Sequence, residues 1–243
     1  MATVAEIQEL YDQGKIPEAM AAVRGEVCKK RQSDNPEIPE LCAIRAWCHY
    51  RRREWDNVRK WLGKAGNTLW AERLRAYMAS YVDKDDEVLA RIAQELGDDV
   101  SVQNALVIRA RDPDSEVVIL NELEGILARF GNQTEVDVAN LFHNAARLLL
   151  VKGSTKEHWW TALGMMEDAL VRYGSKSHWH HRAAAWYWES HIFERLRDKE
   201  NALRAVSKSL FLWDRALELD PGNQGFRTNQ QNALKRQAEL VNR

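Results

Sequence analysis

The chain is predicted to fold as an all-α protein, and three observations carry that prediction. Its 243 residues include only 12 Gly and 5 Pro, so few positions break a helix. Apolar residues recur at spacings of three and four, the period of one helix face. No β-branched run alternates apolar and polar residues as a half-buried strand would. Hydrophobic residues at 45% and charged residues at 29% sit near globular averages, which argues against disorder and against a coiled-coil rod. The 10 Trp need a separate reason.

The elements follow in order. The stretch from Ala5 to Leu10 closes at Gly14, and Pro17 stands in the first turn of the next helix, which carries Ala19, Val23 and Val27. Ser33, Asp34, Asn35 and Pro36 end that helix. Helix pairs are then expected from Leu41 to Tyr50 with Trp55 to Ala65, and from Leu69 to Val82 with Glu87 to Leu96. The next pairs run from Val100 to Arg109 with Glu116 to Phe130, and from Thr134 to Lys152 with Glu157 to Tyr173. A last pair spans Trp179 to Leu196 with Glu200 to Leu219, and a polar helix after Pro221 finishes the chain. Six hairpins plus one terminal helix result, each hairpin taking roughly the 34 to 40 residues of a helical-repeat unit.

The junction Leu10-Tyr11-Asp12-Gln13-Gly14-Lys15-Ile16-Pro17-Glu18-Ala19-Met20 resembles the helix-turn-helix of a tetratricopeptide repeat (TPR). The same frame fits Trp186, Ser190, Phe193 and Ala202, and again Phe142, Ala146, Leu149, Gly153, Ala162, Met166, Ala169 and Leu170. Ala216-Leu217-Glu218-Leu219-Asp220-Pro221-Gly222-Asn223 looks like the end of such a repeat. The resemblance implies a single right-handed α-solenoid over residues 1–243, with about six TPR-like hairpins and a C-terminal capping helix. Residues 1–32 and 134–243 carry the clearest repeats, and 33–130 read as divergent ones. About four extra residues between Gly153 and Ala162, and about seven between Ala202 and Ala216, depart from the family's pattern. Seven residues make two turns, so the second helix there can lengthen without rotating its apolar face.

Chemistry has few candidates. No phosphate-cradling glycine loop, nucleophile elbow, HExxH or paired CxxC is present, so no enzyme is expected and no cofactor or metal is called for. His178 and His181 lie at i and i+3 and could share a metal, but a solvated helix start explains the same letters better. Cys28, Cys42 and Cys48 are odd in number and read as small buried hydrophobes in a reducing compartment. No run is long and apolar enough for a membrane span, and MATVAEIQEL lacks the order of a signal peptide, so a cytoplasmic protein is expected.

In a TPR-like solenoid, side chains of first helices point into the concave groove. Carried over by the repeat frame, these positions are Asn140, His143, Asn144 and Arg147 in the fifth hairpin, and Tyr187, Trp188, His191 and Arg195 in the sixth. Amides and a guanidinium can hold a peptide backbone or a carboxylate, and Tyr, Trp and Arg are favoured at binding centres. A solvated face or a buried aromatic cluster would show the same residues. The resemblance thus implies a non-catalytic scaffold binding a protein or peptide. The two-carboxylate clamp of TPR co-chaperone domains is absent: its positions hold Val4, Gln8 and Ile44. The rival is RNA binding in the manner of half-a-TPR repeats, through Arg51, Arg52 and Arg53 beside Trp47 and Trp55. A net charge of -1 weighs against nucleic acid, although residues 81–125 hold 4 basic and 12 acidic residues between more basic flanks. Self-association would use the exposed ends of the solenoid, against which the polar last helix reads as a solubilising cap.

Overall fold

The computed structural model describes residues 2–30, 37–115, 117, 119–133, 136–174 and 178–242. Among them the secondary structure is helical throughout, with no strand. The helices are α1 (Val4–Asp12), α2 (Ile16–Lys30), α3 (Ile38–Arg51), α4 (Trp55–Ala65), α5 (Leu69–Tyr77), α6 (Asp86–Glu95) and α7 (Val100–Ala110). They continue with α8 (Leu123–Phe130), α9 (Val136–Lys152), α10 (Lys156–Tyr173), α11 (Trp179–Arg195), α12 (Lys199–Leu219) and α13 (Gln224–Val241). No helix of the described residues is long and apolar enough to cross a membrane. Thr3, Thr68, Asp85, Asp99, Thr155, Asp198 and Asn223 each accept a backbone N–H from the helix that follows, which satisfies donors a helix start leaves open.

Two elements differ from expectation. The helix that begins at Leu69 does not run on as α-helix to Val82; from Met78 to Asp83 it widens into a π-helical segment. Lys84 ends it at φ 54, and the Asp85 N–H reaches back to the Ala79 carbonyl. The helix expected from Glu116 starts only at Leu123, after a 3-10 turn over Leu120–Glu122. Asp112 and Ser115 side chains take the backbone N–H groups of Asp114 and Val117, an alternative to helix that short polar residues offer. Ser33 to Pro36, Glu116 and Thr134 lie outside the described residues, as does the side chain of Cys28.

Packing is organised by helix parity. Each odd-numbered helix from α1 to α11 touches the next odd one, forming an inner layer, and α2, α4, α6, α10 and α12 back it from outside. Ile7, Leu41, Leu74, Leu141 and Ile192 fill the inner helices' cores, and Ala43, Ala46, Ala145 and Ala146 let neighbouring backbones approach. Three hairpin turns are closed by the same bonds. The N–H groups of Gly14 and Lys15 reach Tyr11 and Leu10, those of Arg53 and Glu54 reach Tyr50 and His49, and those of Arg197 and Asp198 reach Glu194 and Phe193. Each turn needs a left-handed residue: Gly14 at φ 76, Arg53 at φ 60, Arg197 at φ 65. A side chain there costs about 1–2 kcal/mol. Arg197 is exposed, so Arg197→Gly is expected to stabilise the chain by about 1 kcal/mol, read as a raised thermal midpoint; an unchanged or lower midpoint would contradict this.

The inner layer curves until its ends meet. The first turn of α11 lies over the C-terminal ends of α1 and α3, where a Cβ on Gly14 would stand 3.6 Å from the His180 ring. Arg51 reaches across from α3, donating to the Tyr11 hydroxyl at 2.8 Å, to His180 Nε2 at 2.6 Å and to His181 Nε2 at 3.1 Å. Arg52 pairs with the buried Asp220 at 3.3 Å. A β-carbon on Gly225 would lie 3.4 Å from Arg53 Nε, so α13 also comes down on this turn.

Candidate functional site

The inner layer encloses a cavity of about 1020 Å³, at the upper end of ligand-pocket sizes of roughly 300–1,000 Å³. Every odd helix from α1 to α13 contributes to its wall. One side is aromatic. Trp47 is its hub, with ring centroids of Tyr11, Tyr50, Trp70 and Tyr77 at 6.2, 5.5, 6.1 and 5.3 Å. The Trp47 indole N–H donates to the Trp70 carbonyl at 3.1 Å, so the ring is fixed in place and almost wholly covered. The π-helical segment adds Tyr81 to the same wall.

Another part of the wall is polar, joined to the aromatic part where Asn104 donates to the Tyr77 hydroxyl at 2.5 Å, and the first predicted stripe lies in it. Asn140, His143, Asn144 and Arg147 all line the cavity from α9. Asn140 accepts the Tyr173 hydroxyl at 2.7 Å. Asn144 donates to Asn104 Oδ1 at 2.9 Å and to the Asn140 carbonyl at 3.0 Å, while its own Oδ1 accepts from Arg111 at 2.9 Å and from Arg147 at 3.4 Å. His143 is buried, its Nε2 has no partner, and burial with the nearby Arg147 and Arg111 holds it well below the ordinary histidine range.

The second stripe is divided. Tyr187 and Trp188 line the cavity, and the Arg147 guanidinium lies over the Trp188 ring at 4.1 Å. His191 and Arg195 do not line it. They share the helix face but lie one and two turns further along α11. There His191 packs on Tyr187 and Trp188, burial pushes it down to about 4, and the exposed Arg195 lies near the Trp159 ring.

Charge along the wall is unevenly matched. Arg73 is paired with Asp99 at 2.7 Å. Arg111 and Arg147 have no carboxylate partner among the described residues; burial lowers Arg111 to about 10 and Arg147 well below its ordinary value. Asp12 is raised to about 6 by burial, then by Asp137, which itself accepts the Ser101 hydroxyl at 2.8 Å.

The histidine cluster is not a solvated helix start. His180 is buried, stacked on Phe226 at 5.2 Å, and His181 stacks on Tyr173 at 5.3 Å. Among the described residues no group of three His, Cys, Asp or Glu is placed to hold a metal ion. Arg51 and Arg52 are likewise turned inward on Tyr11, His180, His181 and Asp220, so the arginine triplet does not form an open phosphate track. Cys42 and Cys48 are buried, and burial pushes the Cys48 thiol up to about 12. Reading the sequence did not single out Asn104 or Arg111 as groove residues. Asn104 stands on α7 and Arg111 caps its C-terminal end, inside the stretch where small-residue spacing is lost; they share a face with Ser101 and Ile108, a polar stripe that Ile108 interrupts. No protein-family model matches the chain, and no curated protein matches it.

Proposed function

We propose that the chain is a non-catalytic binding scaffold, a TPR-like solenoid that takes an extended peptide or protein segment against the polar wall of its cavity. The carrying observation is the juxtaposition of Asn140, Asn144 and Arg147 with Tyr187 and Trp188 on one continuous surface. Amides there can match a peptide backbone, and the rings supply contact area at low entropy cost. The run of odd helices and the three identically bonded turns support the solenoid reading, because stacked hairpins place first helices side by side. A random nonapeptide library displayed on phage tests it. Enrichment on the wild-type chain should drop at least tenfold on Trp188→Ala, as truncating a hot-spot ring does, while far-ultraviolet circular dichroism stays unchanged. Equal enrichment on both chains, or none on the wild type, rejects the reading.

A further inference from the structure

We infer that Arg111 and Arg147, bridged by Asn144, form a receptor for a carboxylate group of the ligand. This rests on the cavity being the ligand site, whether the carboxylate comes from an acidic peptide or from a free organic acid.

The two guanidiniums project from the C-cap of α7 and from α9 and converge on one acceptor, Asn144 Oδ1, at 2.9 and 3.4 Å. An amide oxygen accepts hydrogen bonds but carries no formal charge, so two cations remain uncompensated. The acids on neighbouring elements are engaged elsewhere. Asp99 pairs with Arg73, Asp112 with Lys84 and Arg109, and Asp137 holds Ser101. One further donor on this wall, Arg147 Nε, is buried without a partner. A buried polar atom without a partner in a native fold calls for a missing group.

The geometry favours a planar acceptor. The Trp188 ring covers one face of the Arg147 guanidinium at 4.1 Å, leaving its edge as the place to bind. A guanidinium edge presents paired N–H groups that match the two oxygens of a carboxylate. The group already bound between the two arginines is a single sp² oxygen, the position one carboxylate oxygen would take. Partial burial of the pair strengthens the attraction, since a charge is poorly screened away from water.

The test follows the Trp188 indole N–H in ¹H–¹⁵N spectra of the full chain, identified by its loss in Trp188→Phe. The probes, at constant ionic strength, are sodium glutarate, glutaramide, inorganic phosphate, and two nonapeptide pools with Glu or Gln fixed at the centre. Glutarate or the Glu pool should shift the resonance saturably, with glutaramide and the Gln pool at least tenfold weaker. Arg111→Met and Arg147→Met should each weaken that response at least tenfold while a cooperative thermal transition shows each variant still folded. A response to glutarate with none to either pool supports the carboxylate receptor and removes the peptide reading. Equal binding of the Glu and Gln pools keeps the peptide reading and overturns the receptor. Tighter binding of phosphate than of glutarate, unchanged binding in both Met variants, or no response to any probe also overturns it.

Discussion

Replacing Arg51 by methionine is expected to destabilise the chain by about 3 kcal/mol. Arg51 holds three groups from two distant parts of the sequence, Tyr11 on α1 and His180 and His181 at the start of α11. Hydrogen bonds to a charged donor contribute about 1.5–3 kcal/mol each. Against their loss stands the relief of a partly buried cation that has no carboxylate partner, which offsets part of the sum. A change of that size should lower the thermal midpoint by roughly 6–12 °C in a chain of this length. Arg53→Met is the matched control: Arg53 is exposed and should move the midpoint little. Native-state hydrogen exchange should quicken in α1, α3 and α11 together, because one contact fastens them. A loss below 1 kcal/mol would show that the ends of the inner layer are held by apolar packing such as His180 on Phe226 instead.

What was legible in the sequence was what is local. The bounds of α4 match from Trp55 to Ala65, and α9 to α13 fall within two residues of expectation, since periodicity and caps act over a few turns. The π-helical segment had no such signal: Met78-Ala79-Ser80-Tyr81 reads as ordinary helix. The repeated turn was visible at Gly14 and invisible at Arg53 and Arg197, where an unfavourable residue takes the same left-handed conformation. Proximity across the ring was beyond reach. Arg51 and His180 are 129 positions apart and meet only because the inner layer curves round, which no local pattern in the sequence reveals. The abundant Trp resolves the same way. Trp47 is walled in by four rings, whereas Trp188 stays half-buried at the cavity under Arg147.

Acid should loosen this protein, and the same histidines set the direction. His143, His180 and His181 are held well below the ordinary range by burial first; the next influence is Arg147 for His143, Arg51 for His180 and His180 for His181. His178 is lowered by burial and Arg51, and His191 is pushed to about 4. Each is neutral in the fold and takes up a proton more readily when unfolded. Its stability contribution is therefore complete above the unfolded value of about 6.5 and is lost as pH falls toward the folded value. Three carboxyls act the other way. Burial raises Asp12 to about 6, Glu189 to about 8 and Glu40 above its ordinary value, so their contributions are complete at low pH and fade as pH rises through the folded values. Between pH about 6.5 and 4.5 five histidines oppose three carboxyls, and the net slope follows the histidines. The urea midpoint is expected to fall steadily over that window, and to fall gently again above pH about 7 as Glu189 ionises. In His180→Gln/His181→Gln the amide oxygens can still accept from Arg51 but cannot be protonated, so the acid limb should become shallower. A midpoint that is flat from pH 7 to 5, or a double variant as acid-labile as the wild type, would place the weak point away from the contact between α3 and α11.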